Sequence, residues 1–296
     1  MKLLIIYNPQ AGHKRAARTL KAIKSAFQAK AVQANFMYTE YAWHGVALVR
    51  EADLSNYDGV IAAGGDGTLF EVINGYQQNK LKHKPPLGII PIGTGNAFAR
   101  DLNLKSYQWE KAIELIVKKR TRKADLARFT TEGQVYYYMN VLGFGFVSDA
   151  NKTARSFKKL GNMAYSIGVF WQLLRMKTYP LEMELDGQFY KSQNFFVEIA
   201  NTRYTGATFI IAPEAEIDDG YLDVILLNKA SRFKIIRLFP TIFKGEHVHQ
   251  SEVEVFKAKK ISVLAPSSKI LTPDGELMGK TPIDIECLHR AVEFFC

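Results

Sequence analysis

Three times within the first hundred residues a short apolar run stops at a loop built of glycine, asparagine and threonine, and each time the loop opens directly into a helical pattern. The runs cover residues 3–7, 59–63 and 87–90, and the loops read NPQAGHKRA, GGDGTLFEVINGY and PIGTGNAFARDL. Around them the pattern alternates: a helix from about Lys14, a strand over 35–39, a helix over 45–51, a helix from Leu69 and another over 109–118. In the first helix Ala16, Leu20, Ile23 and Phe27 share one face, leaving Lys14, Arg18 and Lys21 along another. Strands and helices in alternation build a parallel sheet covered on both faces, and ligands of such sheets lie beyond the C-terminal ends of the strands.

The loop composition points to phosphate. Glycine lets backbone amides approach phosphate oxygens, and the helix that follows presents unpaired N–H groups and a positive dipole end. Asp66 runs against that logic, because a bare carboxylate repels phosphate, so it predicts a nearby Mg²⁺. One such turn could be plain helix capping by Asp66 and Thr68. Three at successive strand ends argue for one shared crevice, with Asn8, Pro9 and Gly12 from the first loop and Gly93, Thr94, Gly95 and Asn96 from the third. Two familiar fingerprints are absent: the Walker-like stretch over 275–281 is one residue short and sits among strands, and neither glycine loop has dinucleotide-binding spacing.

Past the basic run at 118–123 the pattern changes to strand-like segments over 134–147, 181–199, 221–227 and 251–265, interrupted by helical stretches over 162–176 and 232–243. These predict a mostly antiparallel β region. The expected fold is therefore α/β plus β: a parallel-sheet domain over 1–122, a β-rich domain over 123–286, and a tail over 287–296 able to pack back on the first domain.

Taken together, NPQAG, GGDGT with the following EVING, PIGTGNAFARDL, GFGFVSDA, EIDDGYLDV and TPDGE resemble the diacylglycerol kinase catalytic-domain superfamily, in its bacterial lipid-kinase branch, over nearly the whole chain. The resemblance implies an NAD kinase-like α/β nucleotide-binding domain followed by a β-sandwich, and transfer of the γ-phosphate of ATP to a lipid hydroxyl, diacylglycerol or a related lipid alcohol. It implies an ATP site lined by Asn8, Pro9, Gln10, Ala11, Gly12, Thr39, Gly64, Gly65, Asp66, Gly67, Thr68, Glu71, Thr94 and Asn96, with Asp66 beside the catalytic Mg²⁺. It also implies a second, structural Mg²⁺ or Ca²⁺ on the EIDDGYLDV loop, held by the Asp219 carboxylate and the carbonyls of Glu216 and Tyr221; a polar hairpin turn is the plainer account of the same residues. Asp274 and Glu276 of TPDGE are both candidates for the carboxylate that takes the proton of the acceptor alcohol. The chain departs from the family pattern at Leu69-Phe70-Glu71, where Leu-Asn-Glu is common, and at Gly145, where an Asp commonly follows Gly-Phe. GGDGT alone is shared with NAD kinases, so an NAD kinase-like enzyme and a degenerate, non-catalytic lipid or nucleotide binder are the alternatives.

Lys and Arg exceed Asp and Glu by 39 − 29 = 10, and no acidic residue occurs from Ala11 through Tyr38, where Lys14, Arg15, Arg18, Lys21, Lys24 and Lys30 do. The excess favours anionic partners, here a nucleotide and the anionic inner face of a membrane rather than nucleic acid. An apolar stretch over 163–176 with basic ends is a membrane or lipid-tail candidate as well as a core helix. A homodimer is compatible with these features. Cys287 and Cys296 form no pairing or metal framework, and no run reaches the length of a spanning helix, so the expected location is cytoplasmic, peripheral to the membrane.

Overall fold

The structure is a computed structural model that describes residues 1–145, 177–206 and 208–296. The described chain forms two compact units: Met1–Leu126 with Tyr137–Met139 and Leu288–Cys296, and Ala127–Tyr136 with Asn140–Cys287.

In the first unit the alternation predicted from the sequence is realised as β1 (Lys2–Tyr7), α1 (Arg15–Ala29), β2 (Gln33–Tyr38), α2 (His44–Glu51), β3 (Gly59–Gly64), α3 (Asp66–Gln78), β4 (Leu87–Pro91), α4 (Ala97–Asp101) and α5 (Trp109–Val117). All neighbouring strands are parallel, in the order β2-β1-β3-β4. β3 and β4 are buried along their whole length, which is why their sequences read as continuous apolar runs instead of alternating. Ile23 and Phe27 of α1, Ile113 and Ile116 of α5, and Leu3, Ile5 and Ile61 of the sheet belong to one core cluster. The helix expected from Leu69 begins three residues earlier, so Asp66, Gly67 and Thr68 form its first turn.

In the second unit β7 (Val141–Gly145), β8 (Tyr179–Leu185), β9 (Gln188–Ala200), β12 (Leu222–Asn228), β13 (Val253–Ala258) and β14 (Lys260–Ala265) pair antiparallel. β9 is the hub: its first half pairs with β8, its second half with β7 and β12. The single runs expected over 134–147, 181–199 and 251–265 are each two strands. Asp186 and Gly187 turn β8 into β9 at positive φ, a conformation that two successive residues adopt in tight hairpins. β5 (Thr121–Thr131) and β6 (Gln134–Tyr138) form a further pair, β10 (Tyr204–Thr205) and β11 (Phe209–Ile210) a short hairpin, and β15 (Ile270–Pro273) joins β16 (Met278–Lys280) to β7. β17 (Ile283–Phe295) pairs with β14 through residues 283–286, and its Phe294 lies beside Leu87 of β4. The helical stretch over 232–243 is α6 (Arg232–Leu238) followed by a 3-10 turn (Phe239–Phe243), Pro240 barring a continued α-helix because it has no N–H to donate. The expected helix over 162–176 and most of GFGFVSDA lie outside the described residues.

Candidate active site

In the first unit the chain passes from β1 outward to β2, then returns to place β3 on the other side of β1. Such a reversal of strand order opens a crevice at the C-terminal ends of the two strands involved, here where NPQAG and GGDGT begin. Side chains and backbone stitch the two loops together. The Asn8 N–H donates to Ala63 O at 3.0 Å, its Nδ2 donates to Thr68 Oγ1 at 3.1 Å, and its Oδ1 accepts from Gln10 N at 2.9 Å.

The third loop is joined to the others by contacts that only glycine permits. A Cβ on Gly93 would stand 2.2 Å from Gly65 Cα and 2.6 Å from Gly65 N, and one on Gly12, whose φ is +59°, would stand 2.5 Å from Ile92 O. Gly93 N donates to Gly64 O at 2.8 Å and Asn96 folds back on its own loop, accepting from Gly93 N at 3.2 Å and donating to Gly93 O at 2.8 Å. Asp66 completes the assembly: its Oδ1 accepts the N–H of Ala97, the first residue of α4, at 2.7 Å. Residues 8–12, 64–68 and 93–97 thus form one rigid, glycine-lined floor with a carboxylate fixed in it. Thr94 is exposed above that floor, and Thr39, buried, follows β2 with its N–H on Tyr7 O at 2.9 Å. Glu71 is engaged elsewhere, capping the start of α2 by accepting from Trp43 N at 2.9 Å and Gly45 N at 2.8 Å.

Residues 2–129 match the profile described as diacylglycerol kinase catalytic domain, and residues 140–296 match the YegS C-terminal NAD kinase beta sandwich-like domain. A diacylglycerol kinase of Bacillus subtilis (strain 168) is 30% identical over 97% of this chain and 94% of its own length. One from Staphylococcus haemolyticus is 31% identical over 98% of this chain and 86% of its own. The chain belongs to the diacylglycerol kinase catalytic-domain family. A crystal structure from Bacillus anthracis str. Sterne, of a protein provisionally named diacylglycerol kinase, superimposes with a TM-score of 0.83 at 29% identity, covering 99% of this chain and 94% of that one. The expected lipid kinase, with its α/β and β-sandwich architecture and its use of ATP, is borne out by this membership.

As a member of the diacylglycerol kinase family, the chain departs from the common pattern at two places with physical reasons. Phe70, where Asn is common, is fully buried and meets the Trp43 ring edge-on at 5.7 Å, so the loss of a polar group is a gain in packing. Gly145 has φ of +86°, and a Cβ there would lie 2.5 Å from the Tyr179 hydroxyl and 2.8 Å from Phe195 O, which excludes the Asp of relatives from this conformation.

The candidate bases stand on the turn between β15 and β16 in the second unit. Asp274, at φ +48°, accepts from Asn140 N at 2.8 Å and Val141 N at 3.2 Å through one oxygen, tying the turn to the start of β7. Glu276 is half-buried two residues on. On the EIDDGYLDV loop, Asp219 accepts from Tyr221 N at 3.0 Å and from Lys257 Nζ at 2.7 Å, and buried Asp223 lies 3.9 Å from the same ammonium. Burial pushes Asp223 up to about 6 against the pull of Lys257; burial opposes the Lys257 charge in turn, but Asp219 and Asp223 outweigh it and hold that lysine above its ordinary value. The oxygen donors suit a hard cation, yet a lysine ammonium already neutralises Asp219. No cluster of three or more His, Cys, Asp or Glu poised for a metal occurs among the described residues.

Two buried polar residues escaped the sequence reasoning. Asn74 of EVING donates to Phe70 O and Tyr137 O at 2.8 Å and accepts from Tyr137 N at 3.0 Å, pinning residues 137–139 in the first unit. Glu198, near the C-terminal end of β9, is 4% exposed beside Gly143, and burial pushes its carboxyl up to about 8. An Asn in a helical motif and a lone Glu in an apolar strand carry no spacing signal that would have marked them.

Proposed function

We propose that the chain transfers the γ-phosphoryl group of MgATP to the free hydroxyl of diacylglycerol, giving phosphatidic acid and ADP. The observation that carries this is the Asp66–Ala97 hydrogen bond at 2.7 Å, which fixes a carboxylate where three glycine loops meet in close contact. Phosphate groups would lie against those glycine loops and the start of α3, and a divalent ion beside Asp66 would offset the charge that gathers on the transferred group. Asn8 to Gly12, Thr39, Gly64 to Thr68, Glu71, Thr94 and Asn96 would line the nucleotide site, Glu71 also capping α2. Asp274 and Glu276 are both candidate bases; Asp274 also shapes the turn, one of its oxygens accepting from two backbone amides. We assign the counter-charge of the Asp219 loop to Lys257, whose ammonium a second divalent ion would have to displace. A lipid acceptor places the enzyme peripherally on an anionic membrane face.

The test is incubation of the protein with labelled ATP, Mg²⁺ and a panel of acceptors in mixed micelles: diacylglycerol, a sphingoid base, a prenol, and NAD in solution. Labelled phosphatidic acid is expected. Label on another lipid would reassign the acceptor, and label on NAD would overturn the lipid reading.

A further inference from the structure

The segment from Val224 through Gly245 contains Lys229, Arg232, Lys234, Arg237 and Lys244 and no acidic residue. Its α6 and the following 3-10 turn are seated on the second unit by one face only. Ile235 and Leu238, one helical turn apart, are buried in a cluster with Ile211, Ile225 and Leu227, and Phe239 and Ile242 pack partly against it. The Ser231 hydroxyl starts the helix by accepting from Lys234 N at 3.3 Å. With those anchors fixed, the opposite face points to solvent, and it is not polar. Phe233 is 75% exposed and Phe243 44% exposed. The Phe243 ring lies tilted against Phe209 at 4.9 Å and meets Phe239 edge-on at 5.9 Å, so an aromatic cluster surfaces here instead of a single stray ring.

Single exposed apolar residues are ordinary on a soluble protein. Two exposed phenyl rings, one on a short helix and one on the turn that follows it, with exposed Arg232, Arg237 and Lys244 along the same segment, are not. Lys234 is paired with Glu252. We propose that the α6 face and the turn after it form a docking surface for an anionic phospholipid bilayer: Phe233 and Phe243 enter the boundary between head groups and acyl chains, and Arg232, Arg237 and Lys244 meet the lipid phosphates. The choice of a bilayer over a protein partner rests on the lipid acceptor proposed above, and on charge: the positive segment is complementary to anionic head groups, while the rings demand an apolar phase beneath them. The buried anchors fix the backbone that carries the rings, so little backbone freedom is lost on contact.

Cosedimentation of the full chain with vesicles tests it, using phosphatidylcholine alone and phosphatidylcholine mixed with phosphatidylglycerol. Replacing Arg232, Arg237 and Lys244 together by Gln should weaken partitioning to the anionic vesicles by about fivefold for each charge removed. Phe233→Ser with Phe243→Ser should weaken binding to both vesicle types. Turnover of a short-chain acceptor that is monomeric in solution should stay unchanged in every variant, since none of these residues belongs to the nucleotide floor or the β15–β16 turn. Unaltered sedimentation of both variants would overturn the proposal. So would loss of a dimer on size exclusion in the Phe variant with vesicle binding retained, which would make the patch a subunit contact, or a parallel loss of soluble-acceptor turnover. Vesicle binding is read without catalysis, so a failure of the kinase assignment would show separately in the acceptor panel.

Discussion

The Asp66 carboxylate and the backbone N–H of Ala97 are 2.7 Å apart, so an acid on the loop after β3 fixes the first turn of the helix after β4. One side chain therefore serves both a structural and a chemical end. Asp66→Asn retains an oxygen able to accept from Ala97 but loses the charge that would attract a metal. Turnover should fall by at least about a hundredfold while the thermal midpoint moves little. Asp66→Ala should add a stability loss of about 1–2 kcal/mol, measured by chemical denaturation.

Gly93→Ala places a methyl 2.2 Å from Gly65 Cα, and neither backbone can give way without parting the loops. The expected result is a loss of about 3 kcal/mol or more, together with loss of ATP binding by calorimetry. Wild-type affinity in this variant would mean that the three-loop floor is not the nucleotide site.

The two carboxylates of the β15–β16 turn should separate under mutation. The amide variant of the base, Asp274→Asn or Glu276→Gln, should abolish phosphoryl transfer with ATP binding intact, while the other keeps measurable turnover. Asp274→Ala should lose about 2–3 kcal/mol by stranding two amides, whereas Asp274→Asn can still accept from Asn140 and Val141. Full turnover in both amide variants would remove this turn from the mechanism.

Asn74→Ala removes both hydrogen bonds to Tyr137 and leaves its N–H and carbonyl unsatisfied. A loss of about 2–4 kcal/mol is expected, with faster hydrogen exchange at residues 137–139 than elsewhere in the first unit.

Glu198 sets a pH dependence. Its carboxyl ordinarily titrates near 4.5 and burial raises it to about 8 in the folded chain. The folded state thus binds the proton more tightly than the unfolded one. Stability attributable to this group is full below about pH 4.5, falls as pH rises through the window to about 8, and is flat above it. Glu198→Gln, always neutral, should stabilise the protein at the alkaline end by on the order of 3–5 kcal/mol as an upper bound. It should also flatten the denaturation free energy across the window. A profile that keeps its slope in the variant would show that the glutamate is not the titrating group.

Much of the first unit was legible because its rules are local. Glycine at a strand end followed by a helical stripe announces each βα unit wherever it occurs, and a parallel strand buried on both faces reads as a plain apolar run. The residues of the floor were legible for the same reason. What they touch was not. Glu71 lies in the family motif, which points to the nucleotide, but its capping of α2 was not visible, because it depends on the fold bringing the start of that helix against α3. In the second unit the strands were visible but their breaks were not, since hairpin turns such as Asp186-Gly187 are written in two residues and overrun by the apolar pattern on either side.

The sequence by itself determined the order of strands and helices, the three phosphate-type loops and the residue types available for phosphoryl transfer, all of which depend on neighbours along the chain. Only the tertiary structure decided which glycines touch, that Asp66 is aimed by Ala97, that Asp274 is bound to the β7 backbone, and that a lysine sits on the Asp219 loop. Those pairs are far apart in sequence, and their geometry is set by packing and hydrogen bonding in the folded state, where a few tenths of an ångström separate a contact from a clash.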